Sequence, residues 1–151
     1  MEAEAAGIRV VIVRFGVILA KGGGALPKMA TPIKLCVGGK LGSGKQWMSW
    51  VTLDDVVGAI CFAISNTAIR GAVNVVSPNP ERNEDFTKIL ANVLHRPAIF
   101  PAPAFALRFM LGEMADALLL GSERVLPAKL VAAKFPFRYT ELEPALRHVL
   151  K

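Results

Sequence analysis

The residues of this 151-residue chain whose types and spacing could do chemistry are few, and a glycine loop leads them. Gly39-x4-Gly44-Lys45 matches the phosphate-cradling pattern GxxxxGK[ST] in all but its last place, where Gln46 brings no hydroxyl for magnesium. A phosphate cradle must also open a helix whose first amides hold the anion. Here Gln46-Trp47-Met48-Ser49-Trp50-Val51 alternates like a strand. Nucleoside-triphosphate binding is therefore not expected. Asp54-Asp55 could be metal ligands or a general base, but neighbours on a helix point about 100° apart. Aspartates in a first turn also stabilise the helix dipole with no further purpose. His95 and His148 have no partner nearby in sequence, and Cys36 and Cys61 lack a CxxC or histidine neighbour and read as buried thiols. Trp47 and Trp50, three apart in a strand, face opposite sides, one suited to the core and the other to a cleft. Arg124, just ahead of Pro127, suits an anion or an acidic side chain. With no nucleophile beside a base, no metal spacing and no GxGxxG, the residues by themselves assign no catalytic group and no metal site.

The elements that would position these groups alternate between strand and helix. Residues 8–19 form a β-branched, almost unbroken apolar run, the pattern of a parallel strand buried on both faces. Before it, Glu2 to Gly7 reads as a last helical turn closed by glycine. After the Gly22-Gly23-Gly24 turn, a helix is expected over 25–37, with Pro27 in its first turn and Pro32 marking a kink or break. A short strand over 46–51 precedes a helix capped by Thr52 or Asp54, with Val56, Val57, Ile60 and Ile64 as its apolar face. A second buried strand is expected over 72–76. A helix capped by Asn83 then runs to about His95, presenting Phe86, Ile89, Leu90, Val93 and Leu94. The rest reads as helices over 105–111, 113–120, 127–133 and 141–150. No repeat or long linker divides the chain.

Composition narrows the class. A hydrophobic fraction of 53% excludes a disordered protein, and no apolar run reaches the roughly 18 residues that span a bilayer. The acidic start Met1-Glu2-Ala3-Glu4 does not suit a signal peptide, so a cytoplasmic protein without a membrane partner is expected. The net charge of +6 is uneven: no acidic residue lies between Glu4 and Asp54, where seven lysines and arginines fall. That third of the chain favours an anionic neighbour. Its cations stand singly, without aromatic interleaving, so a phosphorylated small molecule or an acidic surface suits it better than nucleic acid.

A series of motifs then fits together: Arg14-Phe15-Gly16-Val17-Ile18-Leu19, Gly22-Gly23-Gly24-Ala25-Leu26-Pro27-Lys28-Met29, the loop from Gly38 to Gln46, Ser49-Trp50-Val51, Asp54-Asp55, Val76-Ser77-Pro78-Asn79-Pro80-Glu81-Arg82-Asn83, His95-Arg96-Pro97, Gly112-Glu113 and Arg124-Val125-Leu126-Pro127. In this order, over nearly the whole chain, the series resembles the carboxy-terminal half of the NAD(P)-dependent epimerase/dehydratase-like family. That family lies within the extended short-chain dehydrogenase/reductases and carries a small C-terminal helical domain of formerly unknown function.

The resemblance implies an α/β fold: the C-terminal part of a Rossmann-type doubly wound parallel sheet over residues 1–96, and a small, mainly helical substrate-side domain over 97–151. It implies NADP or NAD as cofactor of an intact oxidoreductase or epimerase. Phe15, Gly16 and Val17 would pass the nicotinamide ring, and Lys45, Gln46, Ser49 and Trp50 would line the substrate cleft. The glycine fingerprint and any Tyr-x-x-x-Lys pair would belong to the other half. Tyr139, the sole tyrosine, is followed four places on by Glu143. A C-terminal fragment of this kind, either a truncated gene product or one begun at an internal methionine, should not transfer hydride alone and should self-associate through its exposed sheet. A non-catalytic interaction module, related to cell-division regulators, is the alternative.

Overall fold

A computed structural model of the chain describes residues 5–101 and 121–151. The run over 8–19, expected as one strand, is two: β1 (Val11–Phe15) and β2 (Val17–Leu19). They take different partners. β1 runs parallel to β5 (Gly71–Val75), with Val11 opposite Gly71 and Phe15 opposite Val75. β2 runs parallel to β4 (Trp50–Thr52), with Val17 opposite Trp50. The change of partner falls at Gly16, where the backbone presses against the Ser49 peptide. A Cβ there would be driven into the Ser49 carbonyl oxygen and would lie 2.9 Å from Val76 Cγ1. A residue without a side chain is what lets one apolar run serve two pairings.

The same run is not buried on both faces, as its sequence predicts. Val11 and Val13 pack inward, whereas Ile12 (40% exposed) on the other face and Phe15 (45%) at the strand's end are open to solvent. Among the described residues β1 has a neighbour on one edge and cover on one face. The expected strand over 46–51 is likewise broken at Ser49. β3 (Trp47–Met48) turns away to pair antiparallel with β6 (Glu81–Arg82).

Helix α1 (Ala25–Lys34) ends three residues short of the expected stop, two residues beyond Pro32. α2 (Leu53–Ser65) is capped by Thr52, whose Oγ1 accepts from the Asp55 amide at 3.2 Å. Its expected apolar face is mostly misplaced. Val56 is buried, but Val57, Ile60 and Ile64 are exposed, and the buried row is Asp55, Val56, Ala59 and Ala63. The small alanines let the helix close on the strands, leaving the branched side chains outside. Cys61 lies outside as well and Cys36 is half-buried, so neither is the buried thiol its apolar neighbours suggest. Arg9 fastens β1 to the far end of this helix by donating to the carbonyls of Ala63, Ile64 and Ile69, where a cation also suits the helix dipole.

α3 (Asn83–Leu94) ends at His95 in the left-handed conformation, φ 52°, close to the expected stop. Two short helices follow beyond residue 121, α4 (Ala128–Ala132) and α5 (Leu142–Leu150). The expected helices over 105–111 and 113–120 lie outside the described residues. The apolar interior has two parts: Leu26, Ile33, Trp50, Phe86, Leu90 and Leu146 lie in one, and Val51, Val56, Ala59, Val73, Leu130 and Phe135 in the other. β4 stands between them, pointing Trp50 one way and Val51 the other. Parallel pairs covered by helices make this part of a Rossmann-type α/β fold with a helical carboxy-terminal portion. No helix among the described residues is long and apolar enough to cross a membrane.

Candidate functional site

Ligands of open α/β sheets settle at the carboxyl ends of parallel strands, where the chain changes neighbours. Among the described residues the chain changes neighbours at the step from β1 to β2. Phe15 ends β1, half-exposed, and Gly16 makes the step. The Val17 amide donates to the Ser49 carbonyl at 2.8 Å. The Ser77 amide, just past β5, donates to the Trp50 carbonyl at 2.6 Å, so both strand ends are tied to β4.

The glycine loop over 38–46 is tied to the start of α3. Three of its amides are already used: Leu41 N donates to Asn83 Oδ1, Gly44 N to the Leu41 carbonyl and Lys45 N to Ser43 Oγ. Its carbonyls serve as the cap of α3, with Gly44 accepting from Glu84 N and Gln46 from Asn83 N, both at 2.9 Å. Gly39 packs on Phe100, whose carbonyl oxygen would stand 2.6 Å from any added Cβ. The loop thus spends these groups on itself and on α3.

The residues expected to line the cleft occupy different depths. Lys45 is exposed and gives its carbonyl to Arg82 Nη1 at 2.9 Å. Gln46 is buried, and its Nε2 donates to the Leu41 carbonyl at 3.0 Å. Ser49 is buried and fastens the segment 121–127. Its Oγ accepts from Val125 N at 2.9 Å and donates to the Glu123 carbonyl at 2.9 Å. Trp50 is fully buried, with its indole N–H on the Asn79 carbonyl at 3.0 Å. Trp47 is the tryptophan at the surface, and two guanidinium groups lie against its ring, Arg82 at 4.7 Å and Arg124 at 4.9 Å from the centroid. This grouping escaped the sequence reading because Arg82 and Arg124 lie 35 and 77 residues from Trp47. The short strand of Glu81 and Arg82 carries no apolar alternation to reveal it.

The paired aspartates diverge, as helical spacing requires. Asp55 is buried and accepts from Thr52 Oγ1, Arg138 N and Tyr139 N. Asp54 points outward to His148 Nε2 at 2.9 Å and to Arg138 Nη1 at 3.7 Å. His148, partnerless in the sequence, therefore has two partners, since its ring also stacks on Tyr139 with centroids 4.9 Å apart. These contacts bind the chain's last helix to α2. Near β6, burial pushes the Glu81 carboxyl up from its usual range, with the charges of Asp85 and Glu141 adding to the effect. Among the described residues no group of three or more His, Cys, Asp and Glu side chains could hold a metal ion.

Comparison with known proteins agrees with this architecture. A domain of unknown function, DUF1731, matches residues 102–149. An epimerase family protein of Staphylococcus aureus is 45% identical over 148 residues, which are 98% of this chain and 49% of that protein. One of Staphylococcus epidermidis is 45% identical over 145 residues, covering 96% and 48%. The human epimerase family protein SDR39U1, solved with NADPH, superposes with a TM-score of 0.90 at 31% identity over 95% of this chain and 48% of its own. The nucleoside-diphosphate sugar epimerase of Corynebacterium glutamicum superposes with a TM-score of 0.78 at 37% identity, covering 98% and 27%. The chain thus spans about half the length of the curated relatives it matches. In sequence and fold it is the counterpart of the carboxy-terminal half of an NAD(P)-dependent epimerase/dehydratase-like protein of the extended short-chain dehydrogenase/reductase superfamily.

Proposed function

We propose that this chain supplies the nicotinamide side and the substrate side of an NAD(P)-dependent oxidoreductase or epimerase acting on a small molecule that carries phosphoryl groups. The observation that carries the reading is the match of nearly the whole chain to one half of the NADPH-bound human protein. The name of the Corynebacterium relative supports the phosphoryl group. When bound, the cofactor would supply or accept the hydride.

The residues fit one end of such a cofactor. Phe15, exposed at the end of β1, offers an apolar edge to the nicotinamide ring. Gly16 and Val17 carry the backbone past it. In the glycine loop the amides of Leu41, Gly44 and Lys45 are already bonded, and the reading leaves the pyrophosphate end to the other half of the protein. Lys45 would reach the substrate, while Gln46, Ser49 and Trp50 would hold the cleft wall from behind. The division of labour follows the chain, residues 1–96 serving the cofactor domain and 97–151 covering the substrate.

Calorimetry checks this directly. The 151-residue chain alone should show no saturable NADPH binding. Joined to the amino-terminal half of the Staphylococcus aureus relative, and shown folded by circular dichroism, it should bind with micromolar affinity. A folded joined protein that ignores NADPH, or a lone chain that binds it, would sink the proposal.

A further inference from the structure

We infer that residues 121–126 form a clasp over β3 that opens without the rest of the fold and has the Ser49 hydroxyl as its catch. Both main-chain groups of Trp47 are bonded to it. Trp47 N donates to Ser122 Oγ at 3.1 Å, and the Trp47 carbonyl accepts from Glu123 N at 3.4 Å. The contacts of Ser49 are tighter. Its Oγ accepts from Val125 N at 2.9 Å, and its single proton reaches the Glu123 carbonyl at 2.9 Å and the Val125 carbonyl at 3.3 Å. Two weaker contacts complete the set: Asn74 Nδ2 donates to the Leu126 carbonyl at 3.4 Å, and the Arg124 guanidinium lies 4.9 Å from the Trp47 ring centroid.

The clasp and the floor beneath it are held by different means. Gly121 to Arg124 and Leu126 are exposed and Val125 is half-buried, so the segment rests on polar contacts and buries little apolar surface. Ser49 is buried, and its carbonyl accepts from Val17 N at 2.8 Å where β2 meets β4. Beyond the clasp, Pro127 is buried and Leu130 of α4 is fixed in the apolar interior. A segment with few buried apolar contacts opens at a lower free energy than the core on which it lies. The part that moves is therefore the clasp, hinged at Pro127. When it lifts, water can take over the Ser49 hydroxyl and the Trp47 main chain. On the reading above, which this inference extends, Ser49 belongs to the wall of the substrate cleft, so the open clasp would admit the small molecule and the closed one would shield it from water.

Hydrogen exchange of the full chain without ligand, read at single amides, tests the clasp. Trp47, Glu123 and Val125 report on the segment and Val17 on its floor. The first three should exchange faster than Val17 and at rates that low urea leaves unchanged, whereas Val17 should follow global unfolding and speed up with urea. Ser49→Ala should accelerate Trp47 and Glu123, whose own partners it leaves in place, about tenfold, still without urea dependence. Ser122→Ala, a change at an exposed residue, should accelerate Glu123 and Val125 to a smaller degree, and it decides the outcome if Ser49→Ala does not fold. One rate and one urea dependence for all four amides would make the segment an inseparable part of the fold and overturn the clasp. Acceleration of Val125 alone in Ser49→Ala, or unchanged Glu123 and Val125 in Ser122→Ala, would do the same. NADPH binding by the joined protein is read separately, so either proposal can fail while the other stands.

Discussion

Glu81 shows how a single carboxyl can carry a cost that its sequence context hides. Burial, then Asp85 and Glu141, raise its folded pKa above the ordinary value of 4.5. The folded state therefore holds that proton more tightly than the unfolded chain. The favourable contribution is complete below the unfolded pKa and is lost as pH rises through the folded one, so at neutral pH the ionised group opposes folding. Glu81→Gln should then be more stable than the parent at pH 7 in urea melts, and this advantage should shrink as the pH falls toward 4. Gly16 has the opposite character, since its worth lies in having no side chain. Gly16→Ala should lower stability by about 1–3 kcal/mol, because the Ser49 peptide that blocks its Cβ is itself fixed in the β2–β4 pair. Thermal melts of the two chains measure the difference.

At the level of elements, the sequence predicts which segments are regular better than which way they face. The cap of α2 and the stop of α3 were legible because Thr52 and His95 act locally. The split of residues 8–19 into two strands was not, because it is imposed by Ser49, thirty-three residues beyond Gly16. The α2 face was misjudged for a related reason. Its apolar residues cover more than one side, and only packing decides that Ala59 and Ala63, not Ile60 and Ile64, turn inward. The strand after the glycine loop was legible in its alternation. The loop's work as a cap for α3 needed the contacts of Asn83 and Glu84. Val57, Ile60 and Ile64 on the outer side of α2 and Ile12 and Phe15 on β1 are exposed to solvent, and β1 also has an edge without a partner among the described residues; such surfaces drive association. Sedimentation of the isolated chain should show concentration-dependent oligomers. The double change Val57→Lys and Ile64→Lys should shift it toward monomer, and a parent chain that stays monomeric at high concentration would contradict this.

For the molecule as a whole, the decisive strand is only three residues long. Trp50 and Val51 project from β4 into the two separate apolar interiors, while Thr52 ends the strand as the cap of α2. Neither interior can therefore come apart without disturbing a wall that belongs equally to the other. Two clusters that look like candidates for independent subunits of stability share β4 as one wall, so they should lose their order together, in a single transition.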